Sequence, residues 1–207
     1  MNIPAALSRI ALVATLALAA LAVGCDDDEA PVSTDDTPTA AEPSVTDEPS
    51  PEAGTMELSS SAFEPNATIP TVYTCDGDNI SPPLTIVEVP DEAVALALIV
   101  DDPDAPSGSF IHWAVWSIDP ATTEVAEGAV PAGASEGLRG AGGSGYTGPC
   151  PPTGVHRYIF TLYALDAELT LDAATAGRDE LVAAMEGHIV AEAELIGTYS
   201  RTGPTTG

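Results

Sequence analysis

Val100-Asp101-Asp102-Pro103-Asp104-Ala105-Pro106-Ser107-Gly108-Ser109-Phe110-Ile111-His112-Trp113 is the stretch on which the reading of this chain turns. An apolar run over residues 93–100 leads into three carboxylates interleaved with two prolines, and His112 and Trp113 open a second apolar run that ends at Ile118. The pattern reads as a strand, a rigid acidic loop and a second strand. Proline fixes φ and removes a backbone donor, so Pro103 and Pro106 hold the neighbouring carboxylates in place. Carboxylates held beside a histidine make a candidate site, with Asp102 supporting His112 as a donor.

Outward from this core, turn signals recur at Glu64-Pro65-Asn66, Cys75-Asp76-Gly77-Asp78, Ser81-Pro82-Pro83, Val89-Pro90-Asp91 and the glycine-rich residues 137–148. Between them lie short runs rich in Val, Ile, Leu and aromatics, over residues 69–74, 84–89, 93–100, 112–118 and 158–165. Short apolar strands with frequent Gly and Pro punctuation predict a mainly β domain of antiparallel sheets. Leu181, Val182 and Met185 share one helical face, which predicts a short helix over residues 178–185. Residues 188–199 carry both helix and strand signals, and the pattern alone leaves them open.

The N-terminal region has a different character. A thinly charged start and an apolar run over residues 10–23 predict an export signal over residues 1–24, too short for a stable membrane-spanning helix. Leu21-Ala22-Val23-Gly24-Cys25 is similar to a bacterial lipobox, with Ala22 where leucine is usual, and predicts lipidation at Cys25. Residues 25–55 are Asp, Glu, Pro, Thr, Ser and Ala in the main, without an aromatic or a basic residue. They predict a disordered acidic tether, because they cannot bury enough apolar surface to offset ordering entropy. The expected location is outside the cytoplasm, on a membrane reached through the lipid. Residues 56–207 are one domain's worth of chain.

The formal net charge is -27, with 32 acidic residues and 5 basic ones, all arginine. Phosphate-backbone binding needs clustered cations, so nucleic acid is excluded as a partner class. Charge-driven docking to an anionic membrane is disfavoured for the same reason. Beyond Cys25 there are two cysteines, Cys75 and Cys150. In an exported chain such a pair reads most simply as a disulfide, the alternative being two buried thiols.

A second informative stretch runs from Gly145-Tyr146-Thr147-Gly148-Pro149-Cys150-Pro151-Pro152 to His156-Arg157-Tyr158-Ile159-Phe160. A stiff loop feeds a strand on which His156 and Tyr158 share a face and Arg157 points away. If these meet Asp102 and His112, the pocket offers two imidazoles, a carboxylate, a hydroxyl and backbone amides. That set favours a small oxyanion such as phosphate.

These two stretches closely resemble the phosphatidylethanolamine-binding protein family, in its bacterial branch often labelled Raf-kinase-inhibitor-like. Further matching residues are Tyr73-Thr74-Cys75-Asp76-Gly77, Ser81-Pro82-Pro83-Leu84, Tyr163-Ala164-Leu165-Asp166 and Met185-Glu186-Gly187-His188. The resemblance implies two antiparallel sheets with Greek-key connections and a few short helices, including a helix over residues 178–186 and a strand over 189–199. It implies a pocket for phosphate, acetate or a phosphoethanolamine head group, walled by Asp102, His112, Gly148, Pro151, His156 and Tyr158, with Trp113 adjacent. Bacterial relatives are often homodimers, and some relatives restrain proteases or kinases through a protein surface. The loop before His112 is shorter than in eukaryotic members, so kinase regulation is not carried over.

The expected function is therefore a non-catalytic binding module without a cofactor. An inhibitor-like interaction module and a weak hydrolase using Ser107 or Ser109 are the alternatives; the second lacks a nucleophile turn and a recognisable oxyanion hole. Gly140-Ala141-Gly142-Gly143-Ser144-Gly145 matches a dinucleotide fingerprint in letters but lacks the strand before and the helix after. Asp102, Asp104 and Gly108 do not have calcium-loop spacing, so no metal is expected. His188 follows a helix-ending glycine and is read as structural.

Overall fold

The computed structural model describes residues 55–201. The predicted export signal, Cys25 and the tether as far as Gly54 lie outside the described residues. Two antiparallel sheets carry the domain. Strands β1 (Glu57–Ser59), β2 (Leu84–Val87) and β5 (Glu124–Val125) form the smaller, in the order β1-β2-β5. The larger is ordered β6-β4-β3-β7-β8, from β3 (Ala95–Asp102), β4 (Phe110–Ile118), β6 (Ser135–Glu136), β7 (His156–Leu165) and β8 (Ile189–Tyr199). The long connection from β4 to β7 recrosses the sheet, so β7 lies on the far side of β3 from β4.

The unbroken apolar run that ends at Val100 has a simple cause. β3 is the central strand and is covered on both faces. Leu96, Leu98 and Val100 pack with Leu58, Leu84, Ile86 and Val125 of the small sheet, together with Trp113, Val115, Phe160 and Leu162. Ala97 and Ile99 point the other way, to Ala114, Trp116 and the buried residues of α1 (Arg178–Met185). Burying each large apolar side chain contributes about 1.5–3 kcal/mol. Leu181 and Met185, four residues apart, are the buried residues of α1. Its first turn is capped by Glu180, whose Oε2 accepts the Gly177 amide at 2.9 Å.

β8 settles the stretch that the residue pattern left open: it pairs with β7 from Leu165↔Ile189 to His156↔Tyr199. Gly187, at φ 80°, makes the turn between α1 and β8 that most side chains resist. The strand expected over residues 69–74 is corrected: Thr71–Tyr73 form a single turn of 3-10 helix. Thr68 bridges Thr198 and the Ile69 amide reaches Thr198 O at 2.8 Å, but Pro70 has no amide to continue a ladder. The chain turns instead, with the Tyr73 amide on Pro70 O and the Thr74 amide on Thr71 O. Ile69 and Tyr73 are buried without being in a strand, while Val72 between them is exposed; Ile69 is fully enclosed against Gly197.

A cavity at the ends of three neighbouring strands

The decisive local feature is a β-bulge. Val100 pairs with Trp113 but Asp101 pairs with Ile111, so His112 has no partner on β3. Trp113 points into the core between the sheets and Ile111 toward the opposite layer. The extra residue re-aims the His112 side chain to the Trp113 side, where simple alternation would have placed it on the other. There its ring meets Tyr158 edge-on at 5.1 Å and Phe110 at 5.0 Å. Asp102, ending β3, and His156, opening β7, reach the same spot.

The three side chains line a cavity of roughly 180 Å³. Its other walls come from Ala105, Pro106, Ser107, Phe110, Thr147, Cys150 and Pro152. Asp102, His112 and His156 are 4%, 4% and 7% exposed. Asp102 Oδ2 accepts His156 Nδ1 at 2.7 Å, and its Oδ1 accepts the Asp104 amide at 2.8 Å. The carboxylate thus fixes the imidazole and closes its own turn. A donor to Asp102 at Nδ1 leaves His156 Nε2 as the nitrogen available to a ligand.

This corrects the expected pairing of Asp102 with His112. His112 Nδ1 hydrogen-bonds instead to the Thr147 carbonyl, which can only accept, so Nδ1 carries the proton and Nε2 is left over. Burial pushes the His112 pKa below its ordinary value, against the pull of the Thr147 carbonyl and the Asp102 and Asp101 charges. The neutral ring is therefore the resting form. One imidazole is held by a carboxylate and the other by a carbonyl.

Of the remaining expected residues, Gly148, Pro151 and Tyr158 do not line the cavity. Gly148 supports its wall. A Cβ there would come within 2.5 Å of Tyr73 O, and its amide donates to Asn79 Oδ1 at 2.7 Å. Pro151 is buried in the same segment. Tyr158 lies behind His112, with its hydroxyl buried and without a hydrogen bond; the Cys150 backbone approaches without closing one. Burial first, and then the Asp102 charge, raise its pKa, so it stays protonated. Phe110 and Thr147 were not anticipated. Phe110 was legible as the strand neighbour two before His112, whereas nothing local marks Thr147.

Cys75 and Cys150 are joined as a disulfide, with Cα atoms 5.4 Å apart. The bond ties the cavity wall to residues 73–79, beside the Cys75 amide on Pro149 O and the Tyr146 hydroxyl on Tyr73 O. Closing a loop with a sequence separation of 75 removes on the order of 4 kcal/mol of unfolded-state freedom. On the opposite rim, Asp104 takes three hydrogen bonds from Arg157, one from its amide and two from its guanidinium. That clasp holds its carboxyl well below the usual range, at about 2.

With this geometry in hand, the comparisons with known proteins are specific. The sequence profile described as phosphatidylethanolamine-binding protein matches residues 59–200. The UPF0098 protein of Methanothermobacter thermautotrophicus is 50% identical over 151 residues, 70% of this chain and 99% of that one. The solved structure of a phosphatidylethanolamine-binding protein homologue from Chlamydia trachomatis has a TM-score of 0.68 at 46% identity, covering 71% of this chain and 98% of that one. YbcL of E. coli, described as a member of the mammalian family, also has a TM-score of 0.68, at 28% identity over 72% and 99% of the two chains.

Proposed function

Since the chain belongs to the phosphatidylethanolamine-binding protein family, we propose that its Asp102–His156–His112 cavity binds a small anion or a phospho head group, without chemistry, in a protein held outside the cytoplasm by a lipid on Cys25. The observation that carries this reading is the buried Asp102–His156 pair at 2.7 Å, with His112 beside it in the same cavity. An imidazole held through Nδ1 by a carboxylate presents its other nitrogen to the cavity, and Nε2–H of a doubly protonated ring is a donor for an anion. The net charge of -27 opposes any anion, so recognition rests on His156 in this cavity, and His112, whose Nδ1 serves the Thr147 carbonyl, adds a donor at Nε2 only when an anion brings in a second proton. At roughly 180 Å³ the cavity is smaller than the ~300–1,000 Å³ of drug-sized ligand sites. That scale suits a head group, with Phe110, Pro106 and Pro152 against its substituent.

The hydrolase alternative is not supported by the serines. Ser109 Oγ donates to Asp101 Oδ2 at 2.6 Å, and among the described residues neither Ser109 nor Ser107 bonds a histidine. The interaction-module alternative draws on Val155, 65% exposed and adjacent to His156.

Titration with phosphate and phosphoethanolamine, following the ring signals of all three histidines by NMR, tests the binding reading. Saturable shifts at His112 and His156 are expected, with exposed His188 as the internal control. Silence at both buried rings at millimolar ligand ends it. Capture of an envelope protein equally by the wild type and a His112→Ala variant favours the interaction module. Metabolic labelling with a fatty acid, lost on Cys25→Ser, tests the anchor.

A further inference from the structure

A second cleft, of about 430 Å³, lies at the start of α1 and is lined by Arg139, Arg178, Leu138 and Ile111, among others. Ile111 points to the opposite side of the large sheet from His112, so this cleft is separate from the cavity described above. We propose that it is a binding site for a small organic carboxylate with an apolar body, gripped by Arg178 and Arg139. The assignment does not rest on the function proposed for the first cavity.

The chain is poor in cations, and it does not spend them alike. Among the described residues there are four arginines. Arg157 and Arg201 are each bidentate with a carboxylate, that of Asp104 and that of Asp76. Arg139 and Arg178 are not, and both line this one cleft. Arg139 donates to two backbone carbonyls, Gly142 O at 3.1 Å and Tyr146 O at 2.8 Å, which position the guanidinium without neutralising it. The carboxylate paired with Arg178 is that of Asp179, at 3.8 Å, beyond hydrogen-bonding reach, on a side chain 92% exposed.

Arg178 also breaks two local rules. It is the first residue of α1, where the positive pole of the helix disfavours a cation. Its Nε is buried and has no hydrogen-bond partner. Buried donors are nearly always satisfied, and an orphan calls for an explanation. A carboxylate in the cleft would accept from the terminal nitrogens of the guanidinium and neutralise its charge, and a small turn of the side chain that uncovers Nε would let it satisfy the orphan as well.

The surroundings select the kind of anion. Glu180 lines the same cleft, its Oε2 held by the Gly177 amide, and Asp179 lies at its edge. Two carboxylates beside the arginines penalise a dianion more than a monoanion. Leu138 and Ile111 provide apolar wall for the rest of the molecule. A monocarboxylate with a short hydrocarbon or aromatic body matches both features, and inorganic phosphate matches neither.

The test is an NMR titration of the purified full chain, reading the Nε–Hε signals of the arginines with benzoate, acetate and inorganic phosphate as probes. Benzoate is expected to shift the Arg178 signal saturably, at lower concentration than acetate, while Arg157 and Arg201 stay still. Arg178→Lys, which keeps the charge but loses the planar fork, should weaken benzoate roughly tenfold, read from the Arg139 signal. The His112 and His156 signals should not move on that substitution. An Arg178 signal unmoved by millimolar benzoate overturns the site. Phosphate shifting Arg178 at concentrations as low as benzoate does overturns the carboxylate assignment, and so does an unchanged benzoate affinity in Arg178→Lys.

Discussion

Asp102 ends β3 and Asp104 stands two residues on, in the loop that follows; they reach consecutive residues of β7, yet the two contacts have opposite characters. Asp102 meets His156 in a buried pair at 2.7 Å, on the wall of a cavity. Asp104 meets Arg157 on the surface, where both side chains keep substantial exposure. Strand alternation produces the contrast: His156 points inward and Arg157 outward, so one loop is pinned from both sides of a single strand. The partner chemistry differs in the same sense. Arginine stays charged at any ordinary pH and makes a permanent clasp, whereas histidine can gain or lose its proton and suits a site. Neighbouring carboxylates thus divide into one that holds the loop and one that equips the cavity.

The largest break in this comparison comes from removing the inner carboxylate. Asp102→Ala strips both the His156 contact and the acceptor for the Asp104 amide from a buried position, and should cost about 3 kcal/mol. A urea midpoint shift of that size, with loss of the phosphate response at His156, is expected. A cost below about 1 kcal/mol would show that the pair carries no buried charge. Asp102→Asn, which keeps the shape, should recover most of the stability and little of the binding.

Acid should reach the inner group first. His112 is held neutral by burial, so between its ordinary value of 6.5 and its lower folded value the unfolded chain binds more protons. Its contribution is fully present above 6.5 and is lost as pH falls through that window. The Asp104 clasp loses its contribution only later, as pH falls from 3.8 toward about 2. Stability measured against pH should show both limbs, and His112→Gln should remove the upper one alone. An upper limb that survives His112→Gln belongs to another group.

How much of this was legible before the fold was known depends on how local the cause is. β3, β4, β7 and α1 are written in short-range pattern, apolar runs between breakers and one helical face, and they lie close to where that pattern puts them. The Cys75–Cys150 disulfide followed from counting. The strand expected over residues 69–74 failed at Pro70, where apolar burial and strand geometry part company. Most consequential was the His112 bulge. Its cause is a mismatch of register between β3 and β4, invisible to a reading of either strand alone, and it moves His112 to another face and to Thr147. That is why Asp102 is matched to the wrong imidazole in the linear reading, although Asp102, His112 and His156 do meet at one cavity. Gly148, Pro151 and Tyr158, expected in the wall, do not line the cavity, because alternation and loop rigidity do not say which surface of a wall a residue reaches.

The outer clasp should matter less than the inner pair. Asp104→Ala removes a bidentate but exposed contact, worth about 1 kcal/mol. It should leave the phosphate response of His156 in place, because Asp102 keeps its own hydrogen bond to the ring. Loss of that response in Asp104→Ala, at unchanged urea cooperativity, would mean the loop geometry and not Asp102 sets the site.

The smallest effect is expected at Ser109, and it separates bond length from bond worth. Its hydroxyl donates to Asp101 Oδ2 at only 2.6 Å and spans the mouth of the acidic loop, so on distance alone it looks like a third pin. The contact is exposed, however, and water replaces it at little cost. The loop also has two prolines, the Asp102 turn and the Arg157 clasp to hold its shape. Ser109→Ala should therefore change stability by no more than roughly 0.5 kcal/mol and leave the histidine signals where they are. A loss above about 1 kcal/mol in the urea midpoint would make Asp101, and not Asp104, the carboxylate that closes the loop.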